Sequence, residues 1–194
     1  GFAMLASSSP QEVMDLGAVA HLTAIDQRMA FLHFFDGFRT SHEIQKIEVL
    51  DYEDLRPLVN MDSLKAFRKH ALNPEHPATR GTTVNPDIFF QCREACNTKV
   101  AAIPDAVEHY MNEIGKITGR PHKLFDYYGA EDAERVIILM GSGAETATEA
   151  VDFLMSKGEK IGMINVHLYR PFSPKHFFQV LPKSVKKIAV LDRT

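Results

Sequence analysis

The sequence has only two cysteines, Cys92 and Cys96, in 194 residues. That excludes a disulfide framework and makes a reducing, cytoplasm-like compartment the default. Long apolar runs are also missing. Stretches such as residues 136–140 are too short for a transmembrane helix. Neither sign of charge is in excess, with 22 Lys and Arg against 25 Asp and Glu. No basic field is available for nucleic acid, and no Lys/Arg block for an anionic membrane. The apolar residues 2–6 have no charged region before them, so a signal peptide is not expected. The chain begins with Gly1 instead of an initiator Met, and the apolar run 188–191 lies close to Thr194. Both features lead us to expect a piece of a longer polypeptide, with site partners outside it.

What is present is ordinary globular usage. Hydrophobic residues make up 45% and charged residues 24%, which excludes disordered, collagen-like and coiled-coil chains. A chain of this length buries roughly 70% of its unfolded surface, enough for one large domain or two small ones.

Residues 2–35 read as strand, helix, strand. Ser9 with Glu12 forms a capping box, and Pro10 suits the first helical position. Val13, Leu16, Ala20 and Ala24 recur at helical spacing as one buried stripe. Residues 31–35 are apolar on both faces, as in a central parallel strand. By the same capping logic, Thr40-Ser41-His42-Glu43 opens a short helix. Residues 51–59 and 62–72 read as two more. Asn73-Pro74-Glu75-His76-Pro77 and Arg80-Gly81-Thr82-Thr83 read as an exposed connector. Residues 87–118 are expected to be helical, with a break before Pro104. The last third alternates again. A strand at 136–140, a helix opened by Gly141-Ser142-Gly143 with a Ser142–Glu145 capping box, a strand at 161–168, a short helix at 173–180 and a strand at 187–191 are expected. Ala147, Val151 and Leu154 form this helix's stripe. The fold class is therefore α/β, two lobes with mostly parallel sheets joined by a helical linker.

Several residues are candidates for chemistry. Gly141-Ser142-Gly143 follows a strand and opens a helix, the setting of a phosphate cradle. Thr146 stands where a dinucleotide motif needs its third glycine, so a tight turn is the preferred reading. Cys92 and Cys96 are four apart on the expected helix and lack a second pair to complete a metal site. His109 and His122 follow no ligand spacing. The segment around Asp36, Arg39, Thr40, Ser41, His42 and Glu43 is the most unusual. It follows a strand's carboxyl end, where α/β sites form. Arg39 suits a carboxylate, and His42 and Glu43 suit acid–base work. A capped turn with an ion pair is the competing reading. His33 reads as a satisfied core histidine, Arg170 as a structural or interface arginine, and Lys183, Lys186 and Lys187 as a solvated face.

Longer motifs carry a resemblance. Phe34-Phe35-Asp36-Gly37-Phe38-Arg39-Thr40-Ser41-His42-Glu43 resembles a signature of pyruvate:ferredoxin (flavodoxin) oxidoreductases. So do Asn73-Pro74-Glu75-His76-Pro77, Arg80-Gly81-Thr82 and Asn85-Pro86-Asp87-Ile88-Phe89-Phe90-Gln91. Leu124-Phe125-Asp126-Tyr127, Asp132-Ala133-Glu134-Arg135-Val136, Leu168-Tyr169-Arg170-Pro171-Phe172 and Val190-Leu191-Asp192-Arg193-Thr194 follow in order. The resemblance implies a multidomain homodimeric enzyme with thiamine diphosphate, Mg²⁺ and [4Fe–4S] clusters. Its members oxidise pyruvate with coenzyme A to acetyl-CoA and CO₂ and reduce ferredoxin or flavodoxin. It implies three regions: residues 1–60 as the back of the pyrimidine-binding domain, 61–125 as a helical linker, and 126–194 as a transketolase C-terminal-like domain. It also implies that catalytic, cofactor and metal residues lie outside this chain. Asp36, Arg39, His42 and Glu43 are then an active-site edge or an interdomain contact. A free-standing scaffold or binding module, or part of a related enzyme such as a sulfite reductase flavoprotein subunit, is the alternative.

Overall fold

The computed structural model describes residues 1–79 and 83–192. The expected Arg80-Gly81-Thr82 connector motif and the terminal Arg193-Thr194 lie outside the described residues. The first unit is strand β1 (Ala3–Ala6), helix α1 (Pro10–Gln27) and strand β2 (Phe31–Phe34). β1 and β2 pair in parallel. The Ser9 hydroxyl accepts the Glu12 N–H, capping α1. The reciprocal bond of the box goes one residue earlier, from the Ser8 N–H to the Glu12 carboxylate at 2.6 Å. The buried face of α1 is shifted from the expected stripe, with Val13 and Ala24 only partly buried. It includes Leu16, Val19, Ala20 and Leu22, and also Asp15 and Thr23.

The middle region holds α2 (Tyr52–Leu55), a 3₁₀ turn (Arg56–Leu58), α3 (Met61–Lys69), α4 (Pro86–Glu94) and α5 (Asn97–Thr118). Residues 37–42 form turns, so the expected helix at Thr40 is absent. Thr40, the expected cap, turns its hydroxyl back to the Ser8 carbonyl, and the Ser41 hydroxyl accepts the Phe38 N–H at 2.9 Å. The break in the long helix falls between α4 and α5, and Pro104 sits inside α5. The proline removes one N–H bond, and burial of its ring in the core with Ile103 and Val107 offsets that loss. Helix α5 therefore does more than link. Its Val107, Met111 and Ile114 lie in the main core, against α1.

The last part contains β3 (Phe125–Gly129), β4 (Arg135–Leu139), α6 (Gly143–Ser156), β5 (Ile161–Val166), β6 (Leu168–Arg170), α7 (Pro174–Val180) and β7 (Lys187–Val190). The second sheet runs β3-β5-β4-β7. β4 is parallel to both β5 and β7, while β3 is antiparallel to β5. The strand expected at 161–168 is split at His167. Its second half, β6, crosses to the first sheet and pairs antiparallel with β1. The class is α/β, with parallel and antiparallel pairings mixed.

Side-chain alternation places β4 and β5 between two apolar layers. Ile137, Leu139, Ile161 and Met163 face α6. Val136, Ile138, Ile164 and Val166 face the main core with Leu5, Leu16 and Phe125. That core is continuous from β1 to α7, so the two sheets share one interior. Among the described residues, no helix is long and apolar enough to cross a membrane.

Candidate functional site

Two sequence features that lie 106 residues apart meet at the mouth between the sheets. Asp36 leaves the carboxyl end of β2, and its carboxylate accepts the Ser142 N–H at 2.5 Å. Ser142 itself makes no side-chain cap, against expectation. The acceptor that α6 needs is supplied by Asp36, where a negative charge also suits the helix dipole. Gly141 permits this contact. Its φ is 77°, and a Cβ there would stand 2.5 Å from the Asp36 carboxylate. The tight turn preferred from the sequence is present, and the place a phosphate would take is filled by the chain's own carboxylate.

Asp36, Arg39, His42 and Glu43 all line one open cleft of about 920 Å³. Opposite them stand Glu145 and Thr146 of α6, with Ile137, Leu139 and Ala147 as apolar floor. Burial pushes the Glu145 carboxyl up, and the charges of Glu43 and Glu12 push it further. Thr40 is buried beneath the turn and donates to the Ser8 carbonyl at 3.3 Å. Phe38 adopts a left-handed φ of 62° and is 85% exposed. Its ring stacks on His42 with centroids 5.2 Å apart. Acids outnumber cations here, so the cleft suits holding a proton or a cation-bearing chain and opposes an anionic diphosphate. The two thiols of the whole chain are also too few for a four-cysteine cluster. Cys92 lies on α4, and Cys96 lies between α4 and α5, so they do not share one helix.

His33 is half-buried, with its Nε2 2.7 Å from the Ser7 hydroxyl. Arg170 ends β6, exposed beside a second cleft that includes Phe2, Met29 and Phe172.

The sequence reading missed a polar seam behind the cleft. Asp15 has no exposed side-chain surface. Its Oδ2 accepts from Arg120 Nε at 2.8 Å and lies 3.0 Å from His122 Nε2. Its Oδ1 accepts from Arg120 Nη2 at 2.9 Å and Gln11 at 3.1 Å. Arg120 also pairs with Glu48. Burial pushes Asp15 up, but the hydrogen bonds from Arg120, His122 and Gln11 hold it well below the usual carboxylate range. Beside it, His167 bonds the Lys123 carbonyl through Nδ1 at 2.8 Å. Glu12 and Asp126 each lie 3.4 Å from its ring nitrogens. Burial pushes the imidazole down, yet the Glu12 hydrogen bond and both negative charges raise it overall. Asn165 donates to Ser8 Oγ at 2.9 Å, while its Oδ1 is buried without a hydrogen-bond partner among the described atoms. Only one local signal pointed here: Asp15 is an acid beside Leu16 in an apolar helical stripe.

Comparison with known proteins places this geometry in context. Residues 1–112 match the family described as pyruvate flavodoxin/ferredoxin oxidoreductase, thiamine diphosphate-binding. Residues 133–194 match pyruvate:ferredoxin oxidoreductase core domain II. The pyruvate-flavodoxin oxidoreductase of Enterobacter agglomerans is 63% identical over 194 residues, which is all of this chain and 16% of that protein. The pyruvate:ferredoxin oxidoreductase of Moorella thermoacetica is 60% identical, again over all of this chain and 17% of its own length. The 2-oxoglutarate:ferredoxin oxidoreductase of Magnetococcus marinus, solved with 2-oxoglutarate, coenzyme A and succinyl-CoA bound, shares the fold. Its TM-score is 0.54 at 15% identity, over 97% of this chain and 34% of that one. The chain belongs to the pyruvate flavodoxin/ferredoxin oxidoreductase family and spans about a sixth of the length of the curated relatives it matches.

Proposed function

We propose that this chain is a supporting part of a larger pyruvate:ferredoxin or pyruvate:flavodoxin oxidoreductase. The parent enzyme would convert pyruvate and coenzyme A to acetyl-CoA and CO₂ and pass electrons to ferredoxin or flavodoxin. One observation carries the reading: identity of 63% extends over all 194 residues while covering only 16% of the relative.

In this reading the enzyme is a cytoplasmic homodimer holding thiamine diphosphate with Mg²⁺ and [4Fe–4S] clusters. When bound, thiamine diphosphate supplies the carbon nucleophile that cleaves the keto acid. The residues of this chain do not fit the diphosphate, because Asp36, Glu43 and Glu145 crowd the one helix start that faces the cleft. No step is assigned to them. Residues 1–60 belong to the back of the pyrimidine-binding domain, and 126–194 to a transketolase C-terminal-like domain. Asp36 bridges the two at the cleft by capping α6, which favours reading Asp36, Arg39, His42 and Glu43 as an interdomain contact over an active-site edge.

Two measurements test this. The full-length polypeptide should reduce ferredoxin or flavodoxin only when pyruvate and coenzyme A are both supplied. Calorimetric titration of the 194-residue chain with thiamine diphosphate and Mg²⁺ should give no binding heat. Saturable binding near one per chain would place a cofactor site here and overturn the supporting role.

A further inference from the structure

Every described residue between positions 67 and 95 is exposed. Within this stretch α4 is a nine-residue helix with no buried residue. Helices shorter than about 12 residues are marginal in water unless a face is packed. Yet α4 carries Ile88, Phe89 and Phe90, exposed by 48%, 55% and 70%. Consecutive helical positions are about 100° apart, so these three sweep roughly 200° of the helix surface. Side chains spread over so wide an arc cannot all seat on a flat partner, and Arg93, which falls between Phe89 and Phe90 on that arc, must carry its charge past the contact on its long stem. Val84, also exposed, extends the apolar surface just before the helix.

We propose that α4 inserts into an apolar groove formed by another domain of the same, longer polypeptide. The inference rests on the reading of this chain as part of a larger enzyme. The curated relatives are about six times its length, so most of each molecule is available as the partner. A groove on the same polypeptide also meets α4 at high effective concentration, which a second copy does not. The charges on α4, Asp87, Arg93 and Glu94, are mixed, so the groove is selected by apolar fit and not by a field of one sign.

Cys92 is the built-in reporter. It is exposed, four residues after Ile88 and three after Phe89, on their face of the helix. The test is the alkylation rate of Cys92 with iodoacetamide in the anaerobic full-length enzyme, read by mass spectrometry of its peptide. A synthetic peptide of residues 84–97 sets the unprotected rate. We expect the enzyme to react at least about tenfold more slowly than the peptide. The double variant Phe89→Ser, Phe90→Ser should recover most of the peptide rate while pyruvate oxidation persists. Reaction of the native enzyme at the peptide's rate overturns the proposal. Protection that disappears when dilution dissociates the enzyme into single chains assigns the groove to a second copy and also overturns it. Pyruvate-dependent electron transfer, measured on the same sample, reports separately on the parent activity. An active enzyme with a fast-reacting Cys92 sinks the docking alone, and an inactive one with a protected Cys92 sinks the functional reading alone.

Discussion

Helices α1 and α4 hold their places by different means. Helix α1 buries Leu16, Val19 and Leu22 in the shared core and brings Asp15 with them. The charge so buried is met by Arg120 and His122, more than one hundred residues away. Helix α4 buries nothing and displays Ile88, Phe89 and Phe90 to solvent. The difference teaches where this chain is self-sufficient. Around α1, apolar and polar groups are both satisfied by residues of the same chain. Around α4, the sequence is written for contacts that lie elsewhere.

The strongest way to sharpen the comparison is to damage the core. Phe125 is fully buried and packs edge-on to Phe172 and Phe177, at 5.1 and 5.6 Å between centroids. Phe125→Ala should cost about 4 kcal/mol, lowering the denaturant midpoint of the chain. Next comes the seam. Asp15→Ala removes a buried carboxylate and strands the Arg120 guanidinium, which is itself partly exposed, so about 3 kcal/mol is expected. The same pair predicts an acid limb. Because the folded chain holds Asp15 far below its unfolded value near 4, its contribution is present above that value and is lost as pH falls. The Asp15→Ala variant should therefore lose less stability between about pH 5 and pH 2 than the wild type does. An unchanged acid limb would mean other carboxylates control it.

A smaller effect is expected at the cleft. Asp36→Ala deletes one cap of α6 and should cost about 1 kcal/mol. Hydrogen exchange should speed in the first turn of α6 and at residues 37–42, and leave α1 unchanged. Equal loosening of α1 would mean that the clasp and the seam act as one unit. His167 adds a pH effect of opposite sign to Asp15. Its imidazolium is favoured by folding, so its contribution is full below the unfolded value near 6.5 and declines as pH rises through the higher folded value. Thermal unfolding should fall across that window, and His167→Gln should flatten it.

The parts of the fold that could be read in advance were those with local signals. The Ser9-Pro10 start of α1, the stripe in α6 and the apolar β4 needed only neighbours in sequence. The missed elements depended on distant partners. β6 has three residues and is a strand because β1 offers it an edge. β3 pairs antiparallel with β5 across about 33 to 41 residues, and although Phe125, Tyr127 and Tyr128 favour strands, the short run does not alternate apolar with polar. Pro104 misled because helix propensity at one residue is outweighed by the burial of its neighbours. At the candidate site, Asp36, Arg39, His42 and Glu43 were singled out together and do line one cleft. That Asp36 would cap the helix at Gly143 was not legible, since a cap supplied from 106 residues away leaves no mark beside the helix.

The smallest expected effect is the one that most directly breaks the comparison. Phe89→Ala removes an aromatic ring of the same size as Phe125→Ala does, so side-chain chemistry is held constant and only the surroundings differ. In the 194-residue chain, Phe89 is more than half exposed and its helix is unpacked. The transfer and cavity terms that make Phe125 costly are then nearly absent, and the change should stay within about 0.5 kcal/mol. The same substitution in the full-length enzyme, with α4 enclosed, should approach the cost of a core truncation. A loss of several kcal/mol already in the short chain would mean that α4 packs on this chain's own surface. The contrast between a self-contained seam and an unfinished arm would then disappear.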